Sequence, residues 1–423
     1  MFTPFPATES PHIRDVKTSF DAIVVGAGPG GSVAATVMAR AGLDVLLVEK
    51  DRFPRDKICG DAVSGKSVDV MRELGMIDRL VANESLATWG VTFSGPLGDE
   101  VSIPFTKDFD RPIAPGFVSP RLAFDEIVFS FAQEAGASIE QDTTVLGLLR
   151  DGKRISGVRL RGESGVRDVS APIVIGADGA YSVVVRELGI DQLDEKHYCA
   201  GLRAYYEGVT GFHPRNNIEI HFVDESIPGY FWIFPLPNNR ANVGLGMLSA
   251  EVKKRDVKLK PLLDRIVELP KFRHRFADAT RVGAVKGWGL PLGSKPRKMA
   301  GDGWMLIGDA ASLIDPFTGE GIGNAMVSGW KAGEWVARAK TQGRYDADFL
   351  AGFEVEVMDR LRNELRLSHM MQRLGNWKWL LNLVIKKASR SDELADALSC
   401  MFDDLDERRQ LVSPLFYLRV LTA

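Results

Sequence analysis

Cysteine is scarce in this chain: Cys59, Cys199 and Cys400 are the three in 423 residues, odd in number and without a C-x-x-C spacing. That argues against a disulfide framework and a cysteine-built zinc site, and it suits a reducing compartment. Long apolar runs are missing as well. No stretch approaches the roughly 18 apolar residues of a membrane span, and the first twenty residues, with Pro4, Pro6, Glu9 and Asp15, lack the apolar segment of a secretory signal. Neither sign of charge dominates, because 53 Lys and Arg face 56 Asp and Glu for a net charge of −3. Nucleic-acid binding therefore has no electrostatic basis. Internal repeats and low-complexity tracts are absent too. The expectation is a cytoplasmic protein, soluble or peripheral at a membrane, with no metal site.

What is abundant is glycine, 42 of 423 residues, about a tenth against the roughly 7% of average usage. Surplus glycine is either loop filler or a mark of places where backbone approaches a ligand closely. Position decides between the two. Residues 1–19 read as a leader, and from Phe20 the pattern runs strand (Ala22 to Val25), glycine turn, helix (Ser32 to Ala41), strand (Val45 to Val48). That is a βαβ unit. Helical periodicity returns at Ser67 to Leu80 and Arg121 to Ala135, and a strand is expected at Pro172 to Gly176. Between His197 and Leu248 apolar residues fall two apart (Ile218, Ile220, Phe222; Tyr230, Trp232, Phe234), which predicts antiparallel sheet with one covered face. After about Asp346 the chain reads as charged helix to its end.

Gly26-Ala27-Gly28-Pro29-Gly30-Gly31 fits G-x-G-x-x-G after an apolar strand and before a helix. The first glycine permits the tight turn, the second lets backbone meet a pyrophosphate, and the third lets helix and strand pack closely. Glu49 ends the second strand 21 residues after Gly28, with Lys50 beside it. A carboxylate there suits a ribose 2′-hydroxyl and repels a 2′-phosphate, so the ligand is FAD or NAD. Two further clusters pair a strand end with small residues and one carboxylate: Gly176-Ala177-Asp178-Gly179 and Gly308-Asp309-Ala310-Ala311. Each Asp could accept a ligand hydroxyl, or serve only as a helix cap.

Taken together the three clusters resemble the flavoprotein group typified by para-hydroxybenzoate hydroxylase. The resemblance implies FAD, with Asp309 on the ribityl chain, Asp178 and Gly179 toward the pyrophosphate, and Arg121 opening a helix beside the cofactor. Arg121 would neutralise phosphate charge or else cap a surface helix. The loop Gly319-Glu320-Gly321-Ile322-Gly323 would bring a helix N-terminus under the flavin pyrimidine edge, where it favours negative charge.

Two stretches narrow the likeness. Lys57-Ile58-Cys59-Gly60 and Tyr230-Phe231-Trp232-Ile233-Phe234-Pro235, with Ala241-Asn242-Val243-Gly244 and Pro316-Phe317-Thr318-Gly319-Glu320-Gly321-Ile322, resemble the geranylgeranyl reductase family from about residue 20 to 335. There are departures, since only Gly229 separates Pro228 from Tyr230 and the Cys-Gly stretch continues as Asp61-Ala62. The resemblance implies an α/β fold: a Rossmann-like FAD-binding domain (20–90, 116–196 and 281–340), an inserted antiparallel-sheet substrate domain (91–115 and 197–280) and a C-terminal helical region (341–423). It implies reduction of carbon–carbon double bonds in an isoprenoid or polyprenyl lipid, a geranylgeranyl group or a menaquinone side chain. Cys59 and Gly60 would lie at the flavin, Cys59 as a proton donor or simply a small buried residue. Tyr230, Trp232 and Phe234 would line the substrate site or pack as ordinary core.

No second G-x-G-x-x-G is present for a nicotinamide, so NAD(P)H would bind without a Rossmann motif, or a reduced electron-carrier protein would supply the electrons. The rival readings are a flavin monooxygenase or halogenase acting on a small aromatic, and a flavin-fold carrier without turnover. The halogenase Trp-x-Trp-x-Ile-Pro stretch stands here as Tyr230-x-Trp232-x-Phe234-Pro235. The 370–390 region, with Trp377, Trp379 and Lys386-Lys387, would rest at a membrane interface or close the substrate tunnel.

Overall fold

The computed structural model describes residues 17–190, 194–391 and Leu394. The leader as far as residue 16, Cys400 and the residues from 395 that the sequence reads as charged helix lie outside the described residues. Ala22–Val25 and Val45–Val48 are apolar at every position and buried throughout, as strands covered on both faces must be. They sit at the centre of a six-stranded sheet in the order Ala300–Gly301, Trp304–Leu306, Val174–Gly176, Ala22–Val25, Val45–Val48, Ser138–Glu140. All pairings are parallel except the first, so the strand ends that carry the three glycine clusters open on one edge.

Helices Pro29–Arg40 and Ile322–Gln342 pack on that sheet and against each other with almost no side chain between them. A Cβ on Gly329 would stand 2.1 Å from the Gly30 carbonyl oxygen, and one on Gly333 2.7 Å from Val37 Cβ. Part of the glycine surplus is therefore helix-to-helix packing. The stretch read as helical from Ser67 to Leu80 is two helices, Gly65–Glu73 and Ile77–Ala82, parted by Gly75 at φ +74°.

The second layer is a seven-stranded sheet in the order Thr280–Pro291, Tyr198–Glu207, Arg240–Leu248, Gly229–Leu236, Ile218–His221, Gly90–Ser94, Glu100–Pro104. Alternation along Gly229–Leu236 sends Phe231 and Ile233 to one face, which packs on helix Leu259–Val267 and Phe272. Tyr230, Trp232 and Phe234 point to the other, beside Ile220 and Phe222 and the tail helix Lys378–Ala388. Thr280–Pro291 joins this sheet by pairing with Tyr198–Glu207, so the sheet runs past the boundary at residue 280 expected for it. Glycines 283, 287 and 289 and a largely exposed outer half hide the alternation there.

Helix Ala347–Leu374 starts on Asp346, whose carboxylate accepts the Phe349 N–H at 3.0 Å. Leu350, Phe353, Val357, Leu361 and Leu365, three or four apart, bury one stripe against the nucleotide-binding layer. No helix among the described residues is long and apolar enough to cross a membrane.

Candidate active site

The first glycine cluster forms the tight turn that its spacing predicts. Gly26 has φ +100°, and a Cβ on Gly31 would stand 1.9 Å from the Gly26 carbonyl oxygen. Gly28 differs, because the nearest atom to its Cβ position is an Arg55 guanidinium nitrogen at 3.8 Å. The first and third glycines thus serve the fold, and the second leaves the helix N-terminus open to a ligand. Glu49 is buried and accepts the Ala27 N–H at 2.9 Å, with Arg55 3.7 Å away, so it also buttresses the turn. Lys50 is exposed at the strand end and takes no part in the cavity wall.

The two Asp clusters behave differently. Asp178 accepts hydrogen bonds from Ser182 Oγ (2.5 Å) and from the N–H groups of Val183 (2.6 Å) and Val184 (3.3 Å). Both its oxygens thus help to start the helix Val183–Glu187, as the capping alternative has it, and each can still accept a further bond. Burial pushes its carboxyl above the usual range. Asp309 instead lies in the cavity wall, 3.4 Å from Lys57 Nζ. Arg121 is buried and reaches the same wall, but its guanidinium makes two bonds of 2.6 and 2.8 Å to Asp125. Burial opposes its charge while Asp125, and then Cys59, favour it. Arg121 is therefore an already compensated cation beside the Cys59 thiol.

These elements enclose a cavity of about 330 Å³. Its wall is formed by Pro29, Lys57, Asp309 and the Gly319 to Ile322 loop together with Phe105, Phe117, Ile220, Phe222, Trp232 and Phe234. Cys59 and Gly60 lie in the same wall, Gly60 against the Phe234 ring, as does Cys199, whose thiol burial pushes up to about 12. Tyr230 donates its hydroxyl to the Thr318 carbonyl and so ties the aromatic wall to the glycine loop. Trp232 Nε1 donates to Asn242 Oδ1 at 2.9 Å, and a Cβ on Gly244 would come within 2.3 Å of the indole. The indole therefore lies across the strand and flattens the wall.

Glu320 accepts the Gly323 N–H at 2.6 Å and so caps helix Ile322–Gln342, placing a carboxylate at the N-terminus expected to face the flavin. Lys66 stands against it at 3.5 Å and bonds Glu364 at 2.7 Å and Asn324 at 2.6 Å. Ser368 donates to Asp315 at 2.6 Å, and Gln372 to the Pro316 carbonyl at 2.8 Å. The long helix is thus pinned to the glycine loop and supplies Glu364, Leu367, Ser368 and Met371 to the cavity wall. No local motif marked Lys66, Glu364, Ser368 or Gln372; polar residues on the apolar stripe of a helix were the one available signal.

A flavin dinucleotide fits this arrangement. The open face of Gly28 admits a pyrophosphate, and Arg203 Nε and Trp288 Nε1, both on cavity-wall residues, are buried donors without a hydrogen-bond partner among the described residues. Buried donors of this kind call for an acceptor.

A profile of the FAD binding domain matches residues 19–354. The menaquinone reductase of Mycobacterium tuberculosis (strain H37Rv) is 35% identical over 324 residues, 75% of this chain and 77% of its own length. Digeranylgeranylglycerophospholipid reductase 1 of Methanopyrus kandleri is 36% identical, over 82% of this chain and 87% of its own. A crystal structure of a geranylgeranyl bacteriochlorophyll reductase-like protein from Thermoplasma acidophilum superposes with a TM-score of 0.81 at 25% identity, covering 94% of this chain and 99% of that one. Solved flavin-dependent halogenases share the fold at 22% identity or less. With the glycine turn, the Asp309 cluster and the aromatic strand all meeting at one cavity, the chain belongs to the geranylgeranyl reductase family and is an FAD-dependent oxidoreductase.

Proposed function

We propose that the protein saturates carbon–carbon double bonds in the polyprenyl chain of a lipid, a geranylgeranyl group or a menaquinone side chain. The observation that carries this reading is that one cavity is lined both by cofactor-loop residues (Pro29, Asp309, Gly319 to Ile322) and by the aromatic strand (Tyr230, Trp232, Phe234). When bound and reduced, FAD supplies a hydride at N5. The chain's own residues do the rest. Tyr230, Trp232 and Phe234 offer a flat apolar wall along which an isoprenoid lies extended, and the long helix closes the far side and excludes water. Cys59 Sγ holds the proton that the second alkene carbon takes, so hydride and proton together add two hydrogens per double bond. Asp309 and the Gly319 to Ile322 loop would hold the cofactor. Arg121, paired with Asp125, keeps a positive charge beside Cys59. The electrons come from NAD(P)H binding transiently, or from a reduced carrier protein.

The test is anaerobic incubation of reduced, FAD-loaded protein with a mixed polyprenyl lipid extract, followed by mass spectrometry. Products gaining two hydrogens per reduced bond without oxygen support the reading. Oxygen-dependent formation of a hydroxylated or halogenated aromatic overturns it. Cys59→Ser is expected to lower the single-turnover rate about 100-fold, within the range for loss of a general acid, and Cys199→Ser to leave Cys59 chemistry as the controlling step.

The same reading assigns the tail helix to a lipid surface. Trp377 and Trp379 are 56% and 62% exposed, with their rings stacked at 6.5 Å. Leu97, 77% exposed, is held to this helix by its N–H to Asn382 Oδ1 at 3.2 Å. Gly375, two residues before Trp377, lines the cavity, so a lipid chain would enter beside this patch. Replacing both Trp377 and Trp379 by serine is expected to weaken partitioning onto phospholipid vesicles roughly tenfold. Co-sedimentation checks this, and equal binding by the double variant would remove the lipid-surface assignment.

A further inference from the structure

Behind the Cys59-Gly60 turn lies a buried carboxyl that the reaction described above does not use. Asp61 separates two residues of the cavity wall, Gly60 and Ala62, while its own side chain is fully buried and outside that wall. Its φ of +68° is the left-handed conformation that turns the chain at this point. Asp61 Oδ2 accepts the Tyr205 hydroxyl at 2.7 Å and the Asn242 amide at 2.8 Å. The same Asn242 nitrogen donates to the Cys59 carbonyl at 2.8 Å, and Asn242 Oδ1 accepts from Trp232 Nε1 at 2.9 Å. One amide thus joins Asp61 to the backbone carrying the thiol and to the central ring of the aromatic wall. Asp61 Oδ1 has no partner among the described residues. A buried carboxyl oxygen left without a partner is uncommon in a folded protein and calls for an explanation.

We propose that Asp61 is a positioning residue: its carboxylate orients the Asn242 amide, which in turn holds the Cys59-Gly60 turn and the Trp232 indole against the cavity. A carboxylate can only accept, so the amide must present its nitrogen to Asp61 and Cys59 and its oxygen to Trp232. Protonation weakens that hold without reversing the amide: the Cys59 carbonyl and the Trp232 indole keep it in the same orientation, but a neutral carboxyl accepts the Asn242 and Tyr205 donors less strongly than a carboxylate. The charged and titratable neighbours are Arg121 on its helix, Arg203 and Tyr205 on strand Tyr198–Glu207, and Cys59 on the same loop. Burial raises the Asp61 carboxyl to about 6, against the lowering effect of Asn242, Tyr205 and the two arginines. The orienting form therefore prevails above about pH 6 and is lost below it. The catalytic consequence rests on the reductase reading; the structural one does not.

The experiment uses FAD-loaded full-length protein with Cys199 and Cys400 replaced by alanine, so that Cys59 is the single thiol. Alkylation of Cys59 by iodoacetamide, with no lipid present, is followed from acid to neutral pH. The parent is expected to show an inflection near pH 6 with a step of about threefold or more beyond thiol ionisation alone. Asp61→Asn should abolish the inflection, and Tyr205→Phe should move it to higher pH by removing a donor to the carboxylate. In turnover with a polyprenyl substrate, Asp61→Asn should lower kcat about tenfold and lose the acid limb, with its FAD content unchanged. An inflection that survives in Asp61→Asn overturns the proposal. If Asp61→Asn does not fold, an unshifted inflection in Tyr205→Phe overturns it equally. Because alkylation needs no lipid, a failure of the reductase reading leaves this result standing.

Discussion

Gly31→Ala is expected to yield protein that retains no FAD and is less stable than the parent even as apoprotein. The added methyl would lie 1.9 Å from the Gly26 carbonyl, backbone against backbone, so no side-chain rotation relieves it. The helix must back away from the strand, which costs about 3 kcal/mol or more at the upper end of overpacking effects. That movement also pulls Ala27 from Glu49 and opens the turn. Gly28→Ala is the informative partner variant. Nothing but Arg55 approaches its Cβ position, at 3.8 Å, so the apoprotein should melt as the parent does while FAD binding weakens at least tenfold. Flavin absorbance per protein and apoprotein Tm together separate the two. Equal loss of stability in both variants would mean that Gly28 is structural and that no ligand lies against it.

The second large effect is expected from Lys66→Met. Lys66 joins Glu320 on the cofactor loop to Glu364 on the long helix, and both carboxylates keep a side-chain exposure of 19% or less. Removing the cation from such a group typically costs about 3–5 kcal/mol, because two largely buried carboxylates lose the positive charge they share. Burial opposes the charge on Lys66, yet the two glutamates outweigh it and raise its pKa above 10.5. A raised basic group stabilises fully below its unfolded value and ceases to do so as pH climbs past the folded one. At neutral pH the whole contribution is therefore present to be lost. From the raised Lys66 value the Tm deficit should be the same at pH 5 and pH 8 and shrink only as pH climbs past 10.5. Thermal melts from neutral to strongly alkaline pH check this, and a deficit unchanged above pH 10.5 would assign the loss to packing. The long helix should also loosen from the cavity, raising KM for a lipid substrate more than it changes kcat. Glu364→Gln, which keeps an acceptor for Lys66, should cost less.

How much of this was legible in the chain depended on the range of the interactions. The glycine turn is a local steric rule, so Gly26, Gly28 and Gly31 fell where their spacing placed them. The aromatic wall was legible for the same reason, since period-two alternation puts Tyr230, Trp232 and Phe234 on one face whatever covers it. Asp178 marks the boundary of that method. Its motif permitted a ligand contact or a cap, and only the positions of Ser182, Val183 and Val184 show that it caps. The Thr280–Pro291 strand escaped because glycines and an exposed outer half erase the alternation on which strands are read.

From composition and spacing alone the chain determined a dinucleotide turn, an apolar β wall and a surplus of glycine partly gathered in three cofactor loops. Tertiary structure alone decided which polar residues close the site. Lys66 meets Glu364 across 298 positions, and Asn242 meets Cys59 across 183. Such pairs have no periodicity and no shared motif. They exist because two layers and a helix converge on one cavity, where each buried polar group must find its partner from another part of the chain.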